Sequence, residues 1–125
     1  MVAKLILVVD DSATMRLSLK TQLELHDFQV ETAADGVKAL EYLAGGTRPD
    51  LIITDLHMPN MDGLELIRRI RQAAGLRFVP ILVLTTESQQ ALRDEARRIG
   101  ATGWLVKPVP GEELLRVVRH VVPGL

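Results

Sequence analysis

Short apolar runs rich in β-branched residues alternate along the whole chain with stretches of helical period. The runs are "LILVV" at 5–9, "FQVETA" at 28–33, "LIIT" at 51–54, "ILVLT" at 81–85 and "GWLV" at 103–106. Unbroken apolarity at strand length predicts strands covered on both faces, whereas the alternating "FQVETA" reads as an edge strand. Between the runs, Met15, Leu19 and Leu23 recur every four residues, and Leu64, Ile67 and Ile70 every three. Leu114, Val117, Val118 and Val121 form a further helical stripe. Glu65 with Arg69, Asp94 with Arg98 and Glu112 with Arg116 are acid-before-base pairs four apart, suited to exposed helix faces. Asp11 or Ser12 can cap the first helix, Asp35 the second and Asp62 the third. Gly100 ends the fourth, and Pro123 with Gly124 the fifth. Five strands alternating with five helices predict an α/β fold: one parallel sheet, helices on both faces, right-handed crossovers. No repeat, linker or low-complexity segment interrupts the pattern, so residues 1–125 read as a single domain.

Composition narrows the function. A formal net charge of -1 gives no electrostatic footprint for nucleic acid. The absence of cysteine excludes disulfides, thiolate zinc sites and thiol catalysis. Lys4 followed by "LILVV" is too short for a signal-peptide core, and no apolar stretch approaches the roughly 20 residues of a membrane helix. The expectation is a soluble cytoplasmic protein without membrane insertion.

In a sheet of this type, ligands bind beyond the carboxyl ends of the strands. Four strands carry polar chemistry there: Asp10 and Asp11 after the first, Asp55 after the third, Thr85 and Thr86 at the fourth, and Lys107 after the fifth. Taken singly, Asp11, Thr85 and Thr86 could cap helices, Asp55 could be a turn residue, and Lys107 a solvated lysine. Their joint placement is what points to a site. Two carboxylates 4 Å apart repel by about 4 kcal/mol at an effective dielectric near 20. A hard divalent cation relieves that repulsion, and magnesium keeps waters that a phosphate can replace. A metal, an amine and a hydroxyl around a carboxylate make a phosphoryl-transfer site, in which the carboxylate itself can be the nucleophile.

Competing motifs are missing. No glycine-rich nucleotide-binding turn follows a strand, and His26, His57 and His120 are too scattered for zinc. His26 and His120 read as solvated helix ends. Arg68, Arg69 and Arg71 read as an exposed helix face, as do Arg93, Arg97 and Arg98.

With "VVDDS", "DLHMPNMDG", "LTTES" and "GATGWLVKP" in that order, the full chain resembles the receiver domain of two-component response regulators. The likeness is greatest to the stand-alone chemotaxis regulators of the CheY kind. The resemblance implies a flavodoxin-like doubly wound sheet of order 2-1-3-4-5, an order carried over from that family. It implies Asp55 as phosphoacceptor, modified to 4-aspartylphosphate. Asp11 binds Mg2+ directly, Asp10 mainly through water, and the His57 backbone carbonyl completes the protein ligands; Mn2+ could substitute. Lys107 contacts the phosphoryl group, Thr85 is the switch hydroxyl, and Trp104 holds the aromatic switch position. His57, Thr86 and Glu87 flank the access path and tune dephosphorylation. The Lys107–Pro108 bond resembles one often cis. Trp104 replaces the usual tyrosine or phenylalanine, and a bulky indole is expected to swing inward less readily.

The implied function is a phosphorylation switch. A CheA-like histidine kinase donates the phosphoryl group, small phosphodonors also serve, and the domain catalyses its own phosphorylation and dephosphorylation. The face of the fourth helix, fifth strand and fifth helix changes shape and regulates a partner such as a flagellar motor switch protein, with a phosphatase as a further partner. A monomer is expected. Phosphorelay intermediate or phosphate sink are alternative roles within the family. A haloacid-dehalogenase-type phosphatase is a distant alternative, because its second aspartate, two residues after the nucleophile, is His57 here. A degenerate docking module is the non-catalytic alternative, against which all five key polar positions are intact.

Overall fold

A computed structural model describes residues 3–125. Five strands and five helices alternate without exception: β1 (Leu5–Val9), α1 (Ala13–Glu24), β2 (Gln29–Ala33), α2 (Gly36–Ala44), β3 (Leu51–Thr54), α3 (Gly63–Gln72), β4 (Ile81–Thr85), α4 (Gln90–Arg98), β5 (Gly103–Val106) and α5 (Gly111–Val121). The sheet is wholly parallel in the order β2-β1-β3-β4-β5. β1 and β3 therefore lie side by side in register, Val9 opposite Thr54, so the residues that follow them emerge together.

Alternate residues of the central strands feed two cores. Leu7, Val9, Ile52, Ile81 and Val83 pack beneath α2, α3 and α4. Ile6, Val8, Leu51, Ile53, Leu82 and Leu84 pack beneath α1 and α5. This two-sided burial is the reason the runs are unbroken. β5 is an edge strand, as the order 2-1-3-4-5 implies, and the run is not covered throughout: Val106 is 39% exposed. β2, the other edge, begins at Gln29, and only Val30 and Ala33 within it are buried.

Helix starts follow local chemistry. The side chains of Ser12, Asp35 and Asp62 accept from the backbone N–H of Met15, Lys38 and Glu65 at 3.2, 2.8 and 2.8 Å. Ser12, not Asp11, caps α1, and Asp11 stays exposed. α3 is fixed by Leu66, Ile67 and Ile70, with Leu64 only half-buried. α4 is held more lightly: Ala96 is its one buried residue, and Gln89 before it makes no side-chain cap.

Several surface expectations need correction. Arg98 pairs with Glu95, not Asp94, because Glu95 is already fixed by Arg68 from α3 at 2.8 Å. Arg116 lies 3.8 Å from Glu113, three residues before it, not from Glu112. Arg71 does not belong to an exposed face. Its guanidinium is half-buried and donates to the carbonyls of Gly100 and Leu76, tying α3 to the turn after α4; burial lowers its pKa.

Candidate functional site

Asp10, Asp11 and Asp55 meet at the carboxyl edge of β1 and β3. One carboxylate oxygen from each lies within 4.8 Å of the others. Each is placed by its own segment. Asp10 donates its backbone N–H to Ala33 O at the end of β2 (3.1 Å), and Asp55 donates its own to Val9 O (2.9 Å). Asp10 Oδ1 accepts from Ser12 N (2.9 Å) and Asp55 Oδ1 from Leu56 N (2.6 Å). Arg16 Nη1 donates to Asp10 O at 2.7 Å, a brace that no sequence pattern indicated. Gly63, the last residue of "NMDG", allows α3 to start against this strand end. A methyl group there would collide with the Asp55 carbonyl and lie 2.9 Å from Leu56 Cα.

Lys107 reaches the cluster from the end of β5, across a Lys107–Pro108 peptide that is cis. Its Nζ donates to Asp10 Oδ2 at 2.8 Å and to Asp55 Oδ2 at 3.1 Å. Burial acts to lower the lysine pKa, but the hydrogen bonds and charges of Asp10 and Asp55 outweigh it and the net shift is upward. Three carboxylates against one ammonium leave two negative charges in the cluster. Asp10 and Asp55 already spend acceptor capacity on backbone N–H groups and Lys107. The Asp11 carboxylate is exposed and has no hydrogen-bond partner among the described residues. An all-oxygen donor set with an excess charge of two fits a hard divalent cation such as Mg2+.

The other expected residues are grouped differently. Thr85 is fully buried, and its hydroxyl accepts from Glu87 N at 3.2 Å; among the described residues it makes no hydrogen bond to the carboxylates. Thr86 is exposed beside it. The exposed His57 ring lies 2.9 Å from Glu87 Oε1, so two of the three residues expected to flank the access path join each other. Glu87's pKa is lowered, first by that hydrogen bond and then by the N–H of Gln89. Trp104 is 9% exposed and packs in the core beneath α4. Its Nε1 donates to Glu87 O at 3.2 Å. Ala96, Ala101 and Gly103 line a small pocket with Trp104.

A family model for the response regulator receiver domain matches residues 6–119. The chain belongs to that family. Receiver domains serve two-component signalling, receiving their signal from a histidine kinase and passing it to a downstream effector. The chain is 42% identical over 117 residues to the response regulator MprA of Mycobacterium sp. (strain KMS) and 43% to that of Mycobacterium ulcerans. These matches take in 94% of this chain but about half the length of those relatives. Among solved structures, the chemotaxis protein CheY4 of Vibrio cholerae superposes with a TM-score of 0.91 at 42% identity, over 96% of this chain and 99% of that one. Among the described residues, no helix is long and apolar enough to cross a membrane.

Proposed function

We propose that residues 1–125 act as a single receiver domain that is phosphorylated on Asp55 in a Mg2+-dependent reaction and switches its α4–β5–α5 face. The observation that carries this reading is the convergence of Asp10, Asp11 and Asp55 with Lys107 bonded to two of them. Asp10, Asp11, Asp55 and the His57 carbonyl would hold the cation, and Mn2+ would serve in its place. Bound there, the metal supplies neutralisation of charge on the phosphoryl oxygens.

The remaining work falls to the protein. An Asp55 carboxylate oxygen attacks the phosphorus of a phosphohistidine. The new O–P bond forms as the N–P bond breaks, and the imidazole leaves with the electron pair. Lys107 moves from the carboxylates toward the phosphoryl oxygens, keeping its charge where charge develops. Thr85, Glu87 and Trp104 already form a chain, hydroxyl to N–H and carbonyl to indole. Movement of Thr85 toward the phosphoryl group therefore draws on the Glu87 peptide and through it on the buried indole, shifting the population of α4 positions. His57, Thr86 and Glu87 set access of water and so the lifetime of the phosphorylated state.

The likeness to a chemotaxis protein over nearly its full length supports output through a motor switch protein, with a CheA-like kinase as donor. The likeness to half of longer regulators supports an effector of another kind. Incubation with acetyl phosphate and Mg2+ tests the chemistry: the parent chain should gain one phosphoryl group by mass, and Asp55→Asn, nearly isosteric, should gain none while folding normally. Undiminished labelling of Asp55→Asn would refute the assignment. Capture of partners by the chain with and without beryllofluoride then separates the two outputs.

A further inference from the structure

The loop between β3 and α3 carries the His57 carbonyl, and its ends are pinned together by Gly63 N–H to Leu56 O at 2.7 Å. Its apex is Asn60, in the left-handed region at φ 69°, a conformation asparagine tolerates better than most residues. The Asn60 side chain ties the apex outward: its Nδ2 donates to Asp35 Oδ2 at 2.8 Å. Asp35 is buried. Its other oxygen caps α2 through Lys38 N at 2.8 Å. Met61 seats beside it on Gly36, where an added methyl group would lie 3.0 Å from the Met61 side chain. Two residues before Asp35, Ala33 O receives the N–H of Asp10. One short segment, Ala33 to Gly36, thus braces the strand end that bears Asp10 and the loop that follows Asp55.

We infer that Asn60 is a positioning residue for the metal: its hydrogen bond to Asp35 holds the β3–α3 loop against the start of α2 and sets where the His57 carbonyl stands relative to the three carboxylates. This rests on the reading of the cluster as a Mg2+-dependent phosphoacceptor site. Partners that orient a metal's ligands without touching the metal commonly change its affinity by roughly 10–100-fold. The low end applies here, because one ligand of several is affected.

The test uses the full chain and three variants. Asn60→Gly keeps the positive φ and removes the amide. Asn60→Asp keeps shape and φ but sets a carboxylate against Asp35. Asp35→Asn combined with Asn60→Asp exchanges donor and acceptor, and leaves an asparagine cap on α2. Mg2+ binding by calorimetry should weaken about tenfold in Asn60→Gly and at least as much in Asn60→Asp, and return to within about twofold of the parent in the exchanged pair. Amide hydrogen exchange at residues 57–62, measured without metal, should quicken in the two single variants and slow again in the exchanged pair. If a single variant fails to fold by circular dichroism, the other and the exchanged pair carry the comparison. Single variants that bind Mg2+ like the parent, or an exchanged pair that stays weak, would overturn the inference. A parent chain that binds no Mg2+, or binds it yet takes no phosphoryl group, would instead sink the reading of the site.

Discussion

Replacing Lys107 by methionine keeps an apolar stem of similar length and removes the charge. Lys107, Asp10 and Asp55 have side chains 13%, 4% and 13% exposed, so solvent screens their interactions weakly. Without the ammonium, carboxylate oxygens of Asp10 and Asp55 face each other within 4.8 Å. At an effective dielectric near 20 that costs about 3.5 kcal/mol, in line with the roughly 3–5 kcal/mol lost when one partner of a buried pair is removed. Urea unfolding at pH 7 with chelator should therefore show Lys107→Met less stable by about 3 kcal/mol, or about 10 °C in melting temperature for a domain of this size. Adding Asp10→Asn should close most of the gap at pH 7. Mg2+ should shrink it too. The parent has its own signature in alkali. Its lysine pKa is raised by folding, so that contribution is complete below the ordinary lysine range near ~10.4 and is lost as pH climbs through the raised value. Lys107→Met should lack this loss. A variant within about 0.5 kcal/mol of the parent at pH 7, small beside the repulsion calculated from Coulomb's law, would refute the reasoning. So would a deficit that persists unchanged once Asp10→Asn is added to Lys107→Met.

Gly63→Ala forces a methyl group into the Asp55 carbonyl and Leu56 Cα, backbone that cannot yield. It should cost about 3 kcal/mol or more and abolish phosphorylation, checked by thermal melting and acetyl phosphate labelling. Arg71→Ala leaves the Gly100 and Leu76 carbonyls without their donor and should cost about 1–3 kcal/mol by urea unfolding. It should spare phosphorylation. The carboxyl groups of Glu87 and Asp35 have lowered pKa values in the fold. Their contribution is complete above the unfolded carboxylate range near ~4 and is lost as pH falls through the lower folded values. Melting temperature plotted against pH should fall on the acid side, less steeply in Glu87→Gln.

The elements were legible because their signals are local. A parallel strand buried on both faces must be mostly apolar, and β1 is throughout, β3 and β4 up to their terminal threonines. β5 reads the same way, and its place at the edge came from the family's strand order and not from its own four residues. The rim of acids was legible from strand ends alone, and Asp10, Asp11, Asp55 and Lys107 come together as that placement implies. What joins residues across the fold was not. Arg98 had an acid both three and four positions back, and only Arg68 on a different helix decides for Glu95. Asn60 and Asp35 are ordinary turn residues until the loop meets α2. The hydrogen bond from the Trp104 indole to the Glu87 carbonyl likewise joins segments far apart in the chain and had no local signal.

Helix α4 has a single wholly buried residue, Ala96, and enters its first turn uncapped. Burying a methyl group yields about 0.8 kcal/mol, while a hydrogen bond to a charged group yields about 1.5–3 kcal/mol. If Asp55 is phosphorylated as proposed, two or three such bonds would be a sufficient lever for so lightly moored a helix. Were it fastened as firmly as α3 is by Leu66, Ile67 and Ile70, the same chemistry would run at the acidic rim and go unheard on the far side of the sheet.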